Sequence, residues 1–195
     1  MSPRILIISH DASRSGAPLM LYHVFRRLKE SGDCSIQVVL RSGGELKDRF
    51  GELGPVLTWY PETVDRGRMG FLQRIVRRGR ARLIRGYRIR RLMFRLKAWK
   101  PHLIYSNTAV NGDLLEALAP LGIPMISHIH ELEIVIQTLG KDNWRKVLRH
   151  TDQFVAASEA VKQNLLTNHG LTDPRVDVIH EVIPLDFGQE GRPVR

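Results

Sequence analysis

Arg4-Ile5-Leu6-Ile7-Ile8-Ser9, the loop from His10 to Ala17, and Pro18 through Leu28 together form the stretch whose reading decides the fold. The first six residues are a continuous apolar run with β-branched side chains, as expected of a strand buried on both faces of a parallel sheet. The run is too short to cross a membrane. His10 to Ala17 read as a polar loop with one glycine, Gly16. Pro18 suits the first position of a helix, where its missing N–H removes nothing. Leu21, Val24, Phe25 and Leu28 then recur at i, i+3, i+4, i+7 spacing and predict a buried helical face, and Gly32 stops the helix. Strand, glycine loop and helix are the first half of a βαβ unit. In a doubly wound sheet the first such loop lies at the carboxyl edge of the strands, near the switch in strand order where ligands bind. Helix N-terminal amides favour anions there.

The pattern continues on both sides of one interruption. Ser35 to Leu40 reads as a second strand, Arg41 to Gly44 as a turn, and Glu45 to Phe50 as one or two helical turns with Leu46 and Phe50 on one side. Gly51 and Gly54-Pro55 break that helix, and Val56 to Tyr60 is a third strand. After Pro101 come strand His102–Ser106, a loop opening with Asn107-Thr108, helix Asp113–Leu121 and strand Pro124–Ile129. That strand runs out at His128-Ile129-His130-Glu131, which puts titratable groups at the carboxyl edge. Helix 141–150, with Trp144, Val147 and Leu148 facing inward, then strand Gln153–Ala157, helix Glu159–Asn168 and strand Val176–Ile179 complete the chain. Ser158 suits the N-cap of the last helix. The alternation predicts an α/β, doubly wound, mainly parallel, Rossmann-like sheet with helices on both faces.

With 195 residues, 43% of them hydrophobic, the chain can form one sizeable core, and its composition excludes fibrous and disordered classes. The lone Cys34 rules out an internal disulfide framework and fits a reducing compartment. No run approaches about 18 apolar residues. A cytoplasmic location is expected.

The interruption is basic. From Arg66 to Gly112 there is no acidic residue, and twelve arginines with Lys97 and Lys100 give that segment a charge of +14; the remainder holds 16 basic against 20 acidic residues. Leu72, Ile75, Val76 and Leu83, then Ile89, Leu92, Met93, Leu96 and Trp99, fall near helical spacing, so two basic amphipathic helices are expected, with Leu92 to Trp99 joining the core. Three readings stay open for the charge. An anionic membrane surface comes first, with Arg74, Arg77, Arg78, Arg80, Arg82 and Arg85 facing lipid headgroups. A solvated helix face follows closely. Nucleic acid comes last and is not expected as a partner, because aromatics for base stacking are few and no recognised motif accompanies the charge.

Four places carry a resemblance: Ser15-Gly16-Ala17 after the first strand; Pro101 to Asn107; Pro124 to Leu132 with its His130-Glu131; and Thr151 to Lys162 followed by Val178-Ile179. Through them the chain resembles the N-terminal domain of a retaining, family 4 glycosyltransferase with the two-domain GT-B architecture. The family usually has Gly-Gly-Ala where Ser15-Gly16-Ala17 stands, and Pro-Asn-Gly where this chain has Val178 to Pro184. The resemblance implies an acceptor-side domain over residues 1–187, with a basic helical insertion at about residues 66–100, and 188–195 entering the interdomain linker. The second domain, which holds most of the nucleotide-sugar and the paired glutamates, is expected on a continuation of the chain or on a partner chain. Residues 1–195 alone are accordingly expected to be inactive.

The implied chemistry is transfer of a sugar from a nucleotide-sugar to a lipid or saccharide acceptor, with retention and with neither an essential metal nor a cofactor. A role in cell-envelope polysaccharide or glycolipid synthesis, peripheral on the inner membrane face, follows from the same resemblance. His130 matches the histidine that the family places beside the transferred sugar, in an electrostatic rather than nucleophilic role. Substrate contacts are expected from Ser15, Gly16, Ala17, Asn107, Thr108, His128, Glu131 and Ser158.

Blander readings stand beside these. His128 and His130 alternate along the strand, so one is expected in the packing and only the other in the cleft. His128, His130 and Glu131 carry too few placed ligands for a zinc site. Glu131 and Glu133 could suggest a carboxylate pair for glycoside hydrolysis, but their spacing says nothing of the separation that chemistry requires. His10, Asp11 and Asn107 could merely bridge loops. The alternative function is a noncatalytic Rossmann-like module recruited by its arginines to a membrane or partner, since fold alone does not set function.

Overall fold

The structure is a computed structural model and describes residues 2–59 and 86–180. Among these residues seven strands form one parallel sheet: β1 (Arg4–Ser9), β2 (Ser35–Leu40), β3 (Val56–Thr58), β4 (Leu103–Asn107), β5 (Met125–Ile129), β6 (Gln153–Ala156) and β7 (Val176–Val178). Their order is β3-β2-β1-β4-β5-β6-β7. The chain winds outward from β1 to β3, returns to pair β4 with the other side of β1, and winds outward again. The direction therefore reverses between β1 and β4, where Ser9 lies opposite Asn107.

Because parallel crossovers are right-handed, outward winding in one direction puts its helices on one face, and winding in the other direction puts them on the opposite face. Helices α1 (Gly16–Glu30) and α2 (Lys47–Leu53) cover the first face. The second holds α3, helical across 86–99, with α4 (Gly112–Leu118), α5 (Glu133–Thr138), α6 (Lys141–His150) and α7 (Glu159–His169). Strand β1 feeds both cores by its period of two. Ile5 and Ile7 pack with Leu21, Phe25 and Phe50, while Leu6 and Ile8 pack with Leu96, Ile104 and Leu114.

Several boundaries differ from expectation. Helix α1 begins at Gly16, because extended Ser15 (φ −89°, ψ 167°) is its N-cap. Pro18 becomes the third helical residue, a position whose amide has no intrahelical partner in any case. Val24 is not part of the buried face. It is 52% exposed and lines a groove of about 500 Å³ between α1 and the β4–β5 face, with Phe25, Tyr105 and His128. Helix α2 runs through Gly51 to Leu53, its register held by buried Phe50 and Leu53. Helix α5 stands where no element is expected: it is six residues long and buries only Ile136, too little for periodicity to register.

In α3, Leu92 and Leu96 are buried, and Met93 and Trp99 pack against them, as the spacing predicts. Tyr60 and the arginines assigned to a membrane surface (Arg74, Arg77, Arg78, Arg80, Arg82 and Arg85) lie outside the described residues.

Gly112 opens α4 under steric constraint. A Cβ there would lie 2.2 Å from the Asn143 carbonyl oxygen and 2.8 Å from its Oδ1. The Gly112 amide donates to that Oδ1 at 2.9 Å, and Asn143 Nδ2 donates to Ala109 O at 2.8 Å, so α6 is bolted to the segment that follows β4. Gly112→Ala should therefore lower stability by about 1–3 kcal/mol, as overpacking typically does, seen as a lower urea midpoint at constant m. An unchanged midpoint would mean that α4 and α6 separate freely.

Candidate active site

The carboxyl ends of β1, β4 and β5 converge where the winding reverses. Asn107, the last residue of β4, is 1% exposed. Its Nδ2 donates to Ala17 O in the first turn of α1 at 2.9 Å, and its Oδ1 lies 2.8 Å from Nε2 of His130. A carbonyl oxygen only accepts, so the amide NH2 must face Ala17 and Oδ1 must face the imidazole. Nε2 of His130 therefore carries a proton and donates. A single side chain thus joins the start of α1 to the end of β5.

His128 and His130 occupy the same side of the strand. Their ring centroids are 4.2 Å apart with planes at 38°. The expectation that only one of them reaches this side is corrected by elementary strand geometry, in which residues i and i+2 share a face. Depth separates them instead. His128 is 8% exposed, and its Nδ1 shares a 2.8 Å hydrogen bond with the Tyr105 hydroxyl. Its Nε2 is buried without a partner. Burial, and secondarily the neighbouring His130, lower its pKa to about 3. His128 is neutral in the folded protein across the physiological range.

Glu131 turns back to the loop after β4. It accepts from the Thr108 hydroxyl, from the Ala109 amide at 3.3 Å to each oxygen, and from the His130 amide at 3.0 Å. These bonds hold Thr108, a β-branched residue at φ 96°, in a conformation such residues rarely adopt. Its Oγ1 also accepts from Val110 N at 3.2 Å. Both Thr108 and Glu131, expected to touch substrate, build the wall of the site.

The two glutamates do not form a pair. Glu133 lies 2.7 Å from His169 Nε2 and accepts from Gln137 at 2.8 Å. Ser158 acts as the predicted N-cap, accepting from Val161 N at 3.3 Å.

On the β1 side, Asp11 accepts from the Ser13 amide and hydroxyl at 3.1 and 2.9 Å, and Ser13 Oγ lies 2.8 Å from Ser15 Oγ. This short chain of polar groups shapes the loop, and the Ser15 backbone is one that any residue adopts without strain. Gly16 is exposed, with no atom within 4 Å of a Cβ placed there. The first-turn amides of Gly16 and Ala17 are the anion-favouring end of α1. His10 Nε2 lies 3.4 Å from Asp11 Oδ1, and the His10 carbonyl accepts from the Ser42 amide and hydroxyl, 3.1 Å each.

Tyr105 and Arg41 were not foreseen. Tyr105 precedes Asn107 by two residues in a strand, a polar group on the same face, which was the available signal. Arg41 follows β2 at the same edge. It donates to Val110 O and lies 3.5 Å from Asp113, drawing the β2–α2 loop onto the segment after β4. Among the described residues no three His, Cys, Asp or Glu side chains are grouped to hold a metal ion.

Solved structures share this architecture at low identity. A glycosyltransferase from Rickettsia africae ESF-5 aligns with 92% of this chain and 43% of its own at 15% identity and TM-score 0.55. Arabidopsis thaliana UGT89C1, solved with UDP-L-rhamnose, aligns with 95% of this chain and 53% of its own at 14% identity and TM-score 0.57. The UDP-GlcNAc 2-epimerase of Methanocaldococcus jannaschii aligns with 91% of this chain and 45% of its own at 13% identity and TM-score 0.57. The chain thus spans about half the length of each. Among curated protein sequences none matches. The family model for Glycosyltransferase Family 4 covers residues 14–187, from the loop before α1 to beyond β7, and by that match the chain belongs to Glycosyltransferase Family 4 as an N-terminal domain of the GT-B kind.

Proposed function

We propose that this domain is the acceptor-side half of a retaining glycosyltransferase that moves a sugar from a nucleotide-sugar to a lipid or saccharide acceptor. One observation carries the reading beyond family membership: His130, on the family's histidine position, is held by Asn107 beside the anion-favouring start of α1. In this reading His130 hydrogen-bonds a hydroxyl of the transferred sugar or the charge that develops during transfer, and the amides of Gly16 and Ala17 face phosphate or acceptor. The nucleotide-sugar enters as substrate, and no metal or further cofactor is assigned a role. The UDP-sugar held by one structural neighbour supports a nucleotide-sugar donor.

Because the solved neighbours are about twice as long, donor chemistry is assigned to a second domain, and residues 1–195 alone should turn over no nucleotide-sugar. The basic segment fits a peripheral position on the inner face of a membrane, in envelope polysaccharide or glycolipid synthesis. No helix among the described residues is long and apolar enough to cross a membrane.

The test is incubation of the full-length protein with a panel of nucleotide-sugars and lipid or saccharide acceptors, following nucleotide release and the anomeric configuration of the product by NMR. Transfer with retention supports the reading. Inversion overturns the mechanism, and a full-length protein that binds nucleotide-sugars but transfers none to any acceptor favours the noncatalytic module.

A further inference from the structure

A second concave site lies beside the first. It is a groove of about 600 Å³ between the start of α2 and the helix α3, with Val39, Leu57 and Leu92 in its lining. Lys47 enters it from α2 and Arg88, Arg91 and Arg95 from α3. The three arginines stand at i, i+3 and i+7, one stripe of a helix whose Leu92 and Leu96 are locked into the core. Lys47 is the first residue of α2, on the other wall.

Among the described residues, no carboxylate lies within ion-pair distance of any of these four cations, although elsewhere the same surface pairs its charges, as in Lys146 with Glu116 and Lys162 with Asp173. Four like charges converging on one hollow repel one another, and an anion in the hollow would relieve that repulsion.

The groove shares a wall with the catalytic edge. Gly43 lines it, and the Gly43 carbonyl accepts from the Ala12 amide of the β1–α1 loop at 3.3 Å. The β2–α2 loop that holds Gly43 also carries Arg41, which is fastened to Val110. A molecule with one end among these cations could reach the His130 cleft across this loop.

We infer that the groove formed by Lys47, Arg88, Arg91 and Arg95 binds a phosphate or diphosphate group on the acceptor, so that the acceptor is an anionic, phosphorylated molecule. This rests on the transferase reading above. Guanidinium groups suit the assignment because they grip phosphate oxygens through two parallel N–H donors. A concave site with cations on opposing walls fits a single headgroup or phosphoryl group better than a flat bilayer, which would meet a convex face.

The experiment is calorimetric titration of the full-length protein with inorganic pyrophosphate, with geranyl phosphate below its micellar concentration, and with uridine diphosphate, alongside flotation on phosphatidylcholine vesicles with and without phosphatidylglycerol. The Arg88→Gln/Arg91→Gln/Arg95→Gln variant is compared with Lys141→Gln/Arg145→Gln/Arg149→Gln, which removes the same charge from exposed positions on α6. Loss of charge-assisted hydrogen bonds predicts that the groove variant binds pyrophosphate and geranyl phosphate roughly 10-fold or more weakly. The α6 variant should match the wild type, and uridine diphosphate binding should be unaffected by either.

Equal weakening in both variants, loss confined to uridine diphosphate, no pyrophosphate binding, or binding only to phosphatidylglycerol vesicles overturns the inference. A protein that transfers sugar but shows none of the expected losses sinks this site alone. One that binds the phosphates as expected yet transfers no sugar sinks only the transferase reading.

Discussion

His130→Ala in the full-length enzyme should lower kcat roughly 10²-fold or more, the usual consequence of losing one preorganised group aimed at developing charge. The fold should survive. The ring is only half-buried, and it meets Asn107 Oδ1 and the His128 ring. Leaving the Asn107 oxygen without its donor should cost about 1 kcal/mol, a shift of roughly 2–4 °C in Tm for a domain of this size. Asn107→Ala separates positioning from chemistry: it leaves the imidazole on the chain but removes the bond that orients it, so kcat should fall, though by less than in His130→Ala. Near-normal kcat in His130→Ala, or inactivity accounted for by unfolding, would return His130 to a structural role.

Acid should destabilise the domain well before its carboxylates are neutralised. Folded His128 titrates at about 3, whereas the same side chain in an unfolded chain titrates near 6.5. Between those values the unfolded state binds a proton that the native state refuses, so stability rises with pH through this window and is lost as pH falls through it. The slope approaches about 1.4 kcal/mol per pH unit, or some 2–3 kcal/mol between pH 6 and pH 4. Urea denaturation of wild type and His128→Gln across that range measures it, since glutamine can keep a bond to Tyr105 but takes up no proton.

Glu133, held below the usual carboxylate range by Gln137 first and His169 after it, loses its own contribution toward the acid end in both proteins. The difference between the two curves therefore isolates the histidine. Parallel curves would mean that His128 opens to water before it charges.

The sheet was legible because burial on both faces leaves a plain mark. Ile5 to Ile8 and Val38 to Leu40 admit no polar side chain, and Gly32, expected to stop α1, stands at φ 75° just beyond it. Ser158 was legible as a cap because capping is local. The candidate site was legible only as a sheet edge where the named side chains gather, at the carboxyl ends of the strands, and not as a set of contacts. Asn107 meets Ala17 across 90 residues and Thr108 meets Glu131 across 23, and no local pattern encodes such distances.

Glu131 shows the consequence. Its charge beside His130 invites a reading as a substrate ligand, yet its oxygens serve the strained loop at Thr108. Val24 misled for another reason: helical spacing shows which side of α1 is apolar, but only the sheet's width shows how far along that side it is covered.

Asn107 also bears on when the His130 side chain is ordered. A buried amide whose two ends are both engaged cannot rotate without breaking a bond to α1 and a bond to His130 at once. The imidazole's orientation is thus settled during folding, once, and not rediscovered by each arriving substrate. For an intramolecular reaction geometry, that transfer of ordering from the catalytic cycle to the folding reaction is what turns a side chain of ordinary reactivity into an effective one. Under the proposed role of His130, any substitution that frees Asn107 would return that ordering step to every turnover.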